Sequence, residues 1–373
     1  MKILYVLGGL PFGGIENLMF DISVELKKRG IDHKIVNLSG EGEKVREFLE
    51  SGLPVINLGR SKKDIKTFKL KTALKLRRLI QEYRPNIVHT MQFSGDYFGR
   101  ISSIGLPVRV VTHIQSIKVE RRKERRILNK LLAVKTSCFI SASKAIFQMV
   151  EKYHNIFKRP HYIIYNGVNF KKLTSQLQNS TRADLKNLDG KKTFLILSRL
   201  VKLKRIDIAI KALHLITNKY PEAVLAIVGE GKERKNLENL VKNLKLSDKV
   251  FFFGYQKQVA PFLAKGFAFL MPSEYEGLPI AHLEAAYFGL PAIISPFVPS
   301  REILSEASLI SPLSETEFAK NMELILSNEM LYKKLSRNAE TIARKHSIES
   351  YVDKLLFLYD SLLVNKLPKE KVL

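Results

Sequence analysis

One cysteine, Cys138, stands alone in 373 residues, so no intramolecular disulfide can form and a disulfide-stapled secreted scaffold is excluded. It sits in the apolar run CFISAS, which suits a buried structural thiol in a reducing compartment rather than a reactive one. Long apolar runs are also missing: nothing approaches the roughly 20 residues that cross a bilayer. The start, MKILYVLGGLPFGG, lacks a small-residue cleavage site and reads as a first strand. The expectation is a cytoplasmic protein. Acidic side chains are scarce, 36 against 62 basic ones, which leaves a net charge of +26. Such an excess implies an anionic partner. Helix-turn-helix, zinc-ligand and base-stacking motifs are absent, so nucleic acid is not the expected one.

What is present is a folding composition, 45% hydrophobic and 26% charged, at a length that suits two domains. Short Ile- and Val-rich runs alternate with helical patterns. KILYVL, HKIVNL, PVINLG, NIVHTM, RVVTHI and CFISAS read as strands of the first half, and TFLILS, AVLAIVG, KVFFFG, FAFLMP and PAIIS as strands of the second. They are apolar throughout rather than alternating, which predicts strands buried on both faces of a parallel sheet. The fold class is therefore α/β, with two Rossmann-like doubly wound sheets and a helical C-terminus. The expected domains are 1–165 and 166–345, with helix 346–373 packing back on the first. The polar stretch KKLTSQLQNSTRADLKNLDGKK, residues 171–192, is the expected linker. Two such halves would face a cleft, with ligands bound beyond the carboxyl ends of the strands.

Three segments carry chemistry. LGGLPFGGIEN, residues 7–17, joins the first strand to the first helix; its glycines allow close approach to a phosphate at a helix N-terminus. The spacing is not Gly-x-Gly-x-x-Gly, and no acidic residue ends the next strand, so a common dinucleotide site is disfavoured. SRLVKLKRID, residues 198–207, sets Arg199 and Lys204 before a helix, where two cations can neutralise a diphosphate or merely form a solvated face. EYEGLPIAHLEA places Glu276 on a strand-end loop and Glu284 about one turn into the following helix, with Pro279 in its first turn. Carboxylates there can hold vicinal hydroxyls, form a glycosidase pair about 5 Å apart, or simply flank a helix start.

These segments, with RPNIVHTM, VVTHIQS, YNGVN, VGEG, FLMPSEYEGLPIAHLEAAYFGLPAI and Glu302 in the same order, make the chain similar to a known family. It resembles the retaining glycosyltransferases of the GT-B fold, in the "glycosyl transferases group 1" family, of the bacterial surface polysaccharide or lipopolysaccharide type. The likeness covers nearly the whole length. It implies that Arg199 and Lys204 hold the diphosphate of a nucleotide-sugar, with N–H groups of Gly14, Gly277 and Leu278 assisting. Glu284 would then bind the ribose, Glu276 the hydroxyls of the transferred sugar, and His113 the donor sugar near its reacting carbon. Catalytic roles thus fall to His113 and Glu276. The implied reaction keeps the anomeric configuration and uses no cofactor or metal, in keeping with the lack of any Asp-x-Asp. Ser198 and Arg205 stand where the family often has glycine, Asn169 where it often has aspartate, and SPFVPSREIL lacks a frequent Gly-Gly turn. Other readings consistent with the resemblance are a catalytically silent relative that binds anionic surfaces and a nucleotide-sugar epimerase.

The basic excess is uneven: residues 1–170 hold 31 basic and 14 acidic side chains. Two stretches, 59–78 and 118–135, combine cations with apolar residues at helical spacing, the pattern of an anionic membrane surface. Their candidate contacts are Lys62, Lys63, Lys66, Lys69, Lys71, Arg121, Arg122, Arg125 and Arg126. In the resembled family the N-terminal half carries the acceptor, so a saccharide or lipid-linked acceptor met at the inner face of the cell membrane is expected.

Overall fold

A computed structural model describes residues 1–66, 69–116, 123–178 and 183–373. They form two compact units, Met1–Gly167 with Ile348–Leu373 (unit 1) and Val168–Ser347 (unit 2).

Unit 1 holds β1 (Lys2–Leu7), β2 (Asp32–Asn37), β3 (Val55–Asn57), β4 (Ile87–Met91), β5 (Arg109–Ile114), β6 (Cys138–Ser141) and β7 (His161–Ile163). The order across the sheet is β3-β2-β1-β4-β5-β6-β7, every pair parallel. Unit 2 holds β8 (Lys192–Leu197), β9 (Ala223–Val228), β10 (Val250–Gly254), β11 (Ala268–Met271), β12 (Ala292–Ile294) and β13 (Ser308–Ile310). Here the order is β10-β9-β8-β11-β12-β13, again parallel. Both are the doubly wound sheets that the apolar runs predict, because parallel strands need helical crossovers and these cover both faces.

β8 shows how the sequence meets that demand. Phe194 and Ile196 face a core shared with helices Ile206–Ile216 and Glu315–Ser327, whereas Leu195 and Leu197 face a second core with Phe262 and Leu290. A two-residue side-chain period sends alternate residues to opposite faces, so a strand covered twice must be apolar at every step.

The polar stretch 171–192 is not a linker. Helix Phe170–Gln178 and the short helix Ala183–Leu188 lie within it, and Leu173, Leu185 and Leu188 are buried. Asn169 Oδ1 accepts from Lys172 N at 3.0 Å and caps the first of these helices. Gln176 Oε1 in turn accepts from the backbone N–H groups of Val259 and Ala260. The segment is thus an outer layer of unit 2 that turns Leu173, Leu185 and Leu188 inward, and the division between units falls at Gly167 and Val168.

Helix Ile348–Leu363 buries Tyr351, Val352, Leu355, Leu358, Tyr359 and Leu362 within unit 1, the three- and four-residue spacing of one apolar helical face. Beyond it, Lys371 O accepts from Ile163 N at 2.7 Å, and Leu373 N donates to Ile163 O at 3.0 Å, so the tail adds a bridge beside β7. Among the described residues no helix is long and apolar enough to cross a membrane. Cys138 is fully buried with its thiol donating to Phe139 O, and burial pushes its pKa up.

Candidate functional site

In unit 2 the chain leaves β8 toward β9 on one side of the sheet and enters β11 from the other. No crossover covers the gap between the carboxyl ends of β8 and β11, and a ligand crevice opens at such a switch point. The loops that follow these two strands are the two with the sharpest sequence signals. They are tied together by Glu274 N, which donates to Leu203 O at 2.9 Å.

Lys204 and Glu276 form an ion pair across this point, with side chains 16% and 10% exposed. Ser273 Oγ donates to the same carboxylate oxygen, Oε1, at 2.8 Å. Both contacts fall on Oε1, so Oε2 keeps its acceptor capacity, and the ammonium keeps two of its three donors. Ser273 is held in turn by Ser295 at the end of β12, whose hydroxyl donates to Ser273 O. Arg199 is exposed, and its guanidinium has no ion-pair or hydrogen-bond partner among the described residues. The loop after β8 therefore carries one free cation, Arg199, and one tethered to a half-buried carboxylate, residue types able to hold a diphosphate beside a polyol.

The VGEG turn after β9 fixes Arg199. Gly229 has φ of +141°, and a Cβ on it would sit 1.8 Å from Ser198 O; a Cβ on Gly231 would sit 2.2 Å from Leu200 O. Leu200 N donates to Glu230 O, and Glu233 N to Leu200 O, so the two loops lie backbone to backbone. Only glycine permits that approach.

Arg205, where the resembled family often has glycine, has φ of +46°. Its guanidinium binds both oxygens of Asp207 and Oε1 of Glu274, the last at 3.0 Å, and these acids hold its pKa above the ordinary value. The ion pairs offset the strain that a side chain incurs there. Helix Ile280–Tyr287 begins after Pro279, which takes the N-cap position, and carries half-buried Glu284. Beneath it, His282 Nδ1 meets Ser300 Oγ at 2.7 Å and Nε2 meets Ser308 Oγ at 3.3 Å. Serine hydroxyls thus shape the SPFVPSREIL turn that lacks Gly-Gly, with half-buried Glu302 in helix Arg301–Leu304.

Unit 1 repeats the switch-point geometry between β1 and β4. Gly8 N donates to Gln92 Oε1 at 2.9 Å, and Gln92 Nε2 donates to Glu16 Oε1, which links the glycine loop and helix Gly14–Lys28 to the end of β4. His113 lies near the carboxyl end of β5, with a ring that has no exposed surface. Gln115 Nε2 donates to His113 Nε2 at 2.8 Å, and His113 Nδ1 meets His89 Nε2 at 3.2 Å. His89 Nδ1 then contacts the Tyr359 hydroxyl, which meets that of Tyr5 at 3.2 Å. The side chain at the accessible end of this chain of contacts is Gln115, 8% exposed. Burial pushes His113 and His282 down to about 3, so both rings are neutral.

The site residues read from the sequence therefore fall into two groups: Arg199, Lys204, Glu276, Gly277, Leu278 and Glu284 in unit 2, Gly14 and His113 in unit 1. Sequence reasoning missed Ser273, Ser295, Gln92, Gln115 and His89. The first two are serines without a distinguishing pattern, and His89 in NIVHTM is marked only by being a polar residue inside an apolar strand. Among the described residues no three His, Cys, Asp or Glu side chains come together in a way that could hold a metal ion.

Two outcomes follow from this geometry. Arg205→Gly and Arg205→Ala both lose the ion pairs, but only alanine keeps the strain, so urea unfolding should find the glycine variant more stable by about 1 kcal/mol. Equal stabilities would show that the positive φ costs nothing. Unfolding frees His113 and His282 to bind protons near the ordinary value of 6.5. Their contribution to stability is complete above that pH and is lost as pH falls from 6.5 toward 3. Each ring should cost about 2 kcal/mol between pH 7 and pH 5, and the fall in unfolding temperature should be shallower in His282→Gln.

Comparison with known proteins agrees with this arrangement. Residues 178–342 match the family model "Glycosyl transferases group 1", and residues 12–172 match "Glycosyltransferase Family 4". An uncharacterised glycosyltransferase of Haemophilus influenzae is 26% identical over 357 residues, covering 91% of this chain and 94% of that protein. The UDP-Gal:alpha-D-GlcNAc-diphosphoundecaprenol alpha-1,3-galactosyltransferase of Escherichia coli is 26% identical over 318 residues, 80% of this chain and 81% of that one. Among solved structures, Anabaena Alr3699/HepE in complex with UDP superposes with a TM-score of 0.82 at 18% identity, covering 97% of this chain and 100% of that one, a likeness of fold. With residues 12–172 matched to one glycosyltransferase family, residues 178–342 to the glycosyl transferases group 1 family, and the fold shared, the chain is a glycosyltransferase of GT-B fold.

Proposed function

We propose that this glycosyltransferase is retaining and metal-independent, and that it moves a sugar from a UDP-sugar to a saccharide acceptor carried on a lipid, in the synthesis of bacterial surface polysaccharide or lipopolysaccharide. The observation that carries the reading is the Lys204–Glu276 pair at the β8/β11 switch point, with Arg199 unpaired beside it in sequence. The E. coli relative, named for a UDP-Gal donor and a diphosphoundecaprenol acceptor, and the UDP bound by the Anabaena protein support the choice of donor and acceptor.

In this reading Arg199 and Lys204 hold the diphosphate, helped by N–H groups of Gly14, Gly277 and Leu278. Glu284 holds the ribose. Glu276 turns Oε2 to the hydroxyls of the sugar while Ser273 keeps Oε1 in place. As the bond from the anomeric carbon to the diphosphate breaks, negative charge grows on the departing oxygen, and the two cations stabilise it. The acceptor hydroxyl attacks from the same face and passes its proton to the leaving diphosphate. His113, with Gln115 turned aside, presents Nε2 to the donor sugar. Catalysis is then mainly positioning and charge stabilisation.

Thermal unfolding in EDTA with UDP, GDP, ADP, dTDP or CMP tests the donor site. UDP at about 100 times its dissociation constant should stabilise the protein by about 2.7 kcal/mol. Lys204→Ala should abolish the gain. Stabilisation by UDP that survives in Lys204→Ala would refute the assignment, and stabilisation by another nucleotide alone would replace the base.

The membrane reading rests on exposure. Lys62, Lys63, Lys66, Lys69 and Lys71 are all exposed, and helix Leu70–Tyr83 adds Leu70 and Leu74 at 70% and 56% exposure. Cations beside unpaired leucines one turn apart suit insertion at an anionic interface. In the other stretch Arg121 and Arg122 lie outside the described residues, as does the side chain of Arg125. Arg126 is half-buried over the Tyr153 ring at 5.6 Å, which turns it toward its own fold. Neutralising the five lysines should abolish flotation with anionic liposomes; unchanged flotation would remove this segment from the interface.

A further inference from the structure

At the end of the unit 1 sheet opposite His113, where β5, β6 and β7 begin, lies a cavity of about 630 Å³. That is within the usual range for a small-molecule site. Arg109, Lys135 and Arg159 all line it, and among the described residues no Asp or Glu does. Among the described residues each cation is met only by a neutral oxygen. Arg109 Nη2 donates to Asn365 Oδ1 at 2.9 Å, Lys135 Nζ to Leu106 O at 3.2 Å, and Arg159 Nη2 to Val134 O at 2.8 Å. Arg159 Nε is buried with no partner among the described residues.

Three cations lining one cavity without a carboxylate repel one another, and a buried guanidinium N–H without an acceptor is costly. Burial chiefly, and the neighbouring Arg109 guanidinium in addition, push the Lys135 ammonium below its ordinary pKa. An oxyanion would relieve the repulsion. The rest of the wall is largely apolar, with Leu362 buried in it and Val134 and Leu367 partly exposed at 55% and 37%. We propose that this cavity is a binding site for a phosphate group borne on an apolar chain, separate from the donor site and independent of the transfer reading above. Arg109, Lys135 and Arg159 clasp the oxyanion, and the alkyl part lies along the apolar wall.

Calorimetric titration of the full chain at low ionic strength, with hexyl phosphate and with inorganic phosphate, tests this. Hexyl phosphate should bind, and Arg159→Gln should weaken it about tenfold or more, the usual effect of losing a charge-assisted contact. Because Arg159 also holds Val134 O, a second variant guards against misfolding. Asn365→Asp, at an exposed position, places a carboxylate beside Arg109 and should compete with the ligand to a similar degree. Lys204→Ala, in the donor site, should leave the titration unchanged. Binding of inorganic phosphate as tight as that of hexyl phosphate, with the same response to the variants, would keep the oxyanion site and assign it to free phosphate. Hexyl phosphate binding that is absent, or unaltered in both Arg159→Gln and Asn365→Asp, would overturn the proposal.

Discussion

Everything at the candidate site depends on the direction in which the chain leaves each central strand. A parallel sheet buried on both faces can wind outward from its middle only by sending successive crossovers to opposite sides, and the two strands where winding reverses keep uncovered carboxyl ends. In unit 2 these are β8 and β11. Their loops meet each other instead of a helix, and the backbone groups left there are satisfied mutually, as between Glu274 N and Leu203 O. Glycine is then required wherever one loop must lie on the next, which is why Gly229 and Gly231 sit against Ser198 O and Leu200 O. The fold produces a rigid ledge first, and the charged side chains stand on it.

The Lys204–Glu276 pair makes more sense as chemistry than as stabilisation. Half-buried charges lose hydration, and well-packed apolar residues would serve stability at least as well. The pair instead holds two opposite charges in fixed orientation at a surface that can exchange partners. Diphosphate oxygens can share the ammonium, and sugar hydroxyls can donate to the carboxylate, without either charge being left alone. Ser273 and Ser295 hold the carboxylate from behind, so that exchange needs little rearrangement.

Much of this was legible in the sequence because it depends on local pattern. Apolar runs marked the long strands, and the positions of Arg199, Lys204, Glu276 and Glu284 followed from strand ends and helix starts. Among the three-residue strands, β3 and β12 were marked by the apolar runs PVINLG and PAIIS, whereas β7 and β13 escaped. The stretch 171–192 looked like a linker because its helices carry few apolar residues, and only the tertiary structure reveals that Leu173, Leu185 and Leu188 all point into unit 2. Arg205 illustrates another limit. A sequence reader sees an arginine in place of a glycine and infers a loss, whereas the positive φ is retained and paired acids steady it.

His113 belongs to the least legible class, a side chain whose neighbours come from distant parts of the chain. Its contacts run through His89 to Tyr359, 270 residues further on, and end at Tyr5. The row has a direction. With the Gln115 amide nitrogen donating to Nε2, the His113 proton sits on Nδ1 and points to His89, which in turn donates to Tyr359. Rotating the one amide to present its oxygen reverses every bond in the row, because each imidazole has one donor and one acceptor and each hydroxyl can be either. His113 then carries its proton on Nε2, the nitrogen facing Gln115. Burial keeps both imidazoles neutral, so this reversal moves no net charge. The orientation of the Gln115 amide therefore goes with which nitrogen of His113 is the donor, and the C-terminal helix, through Tyr359, belongs to the same row.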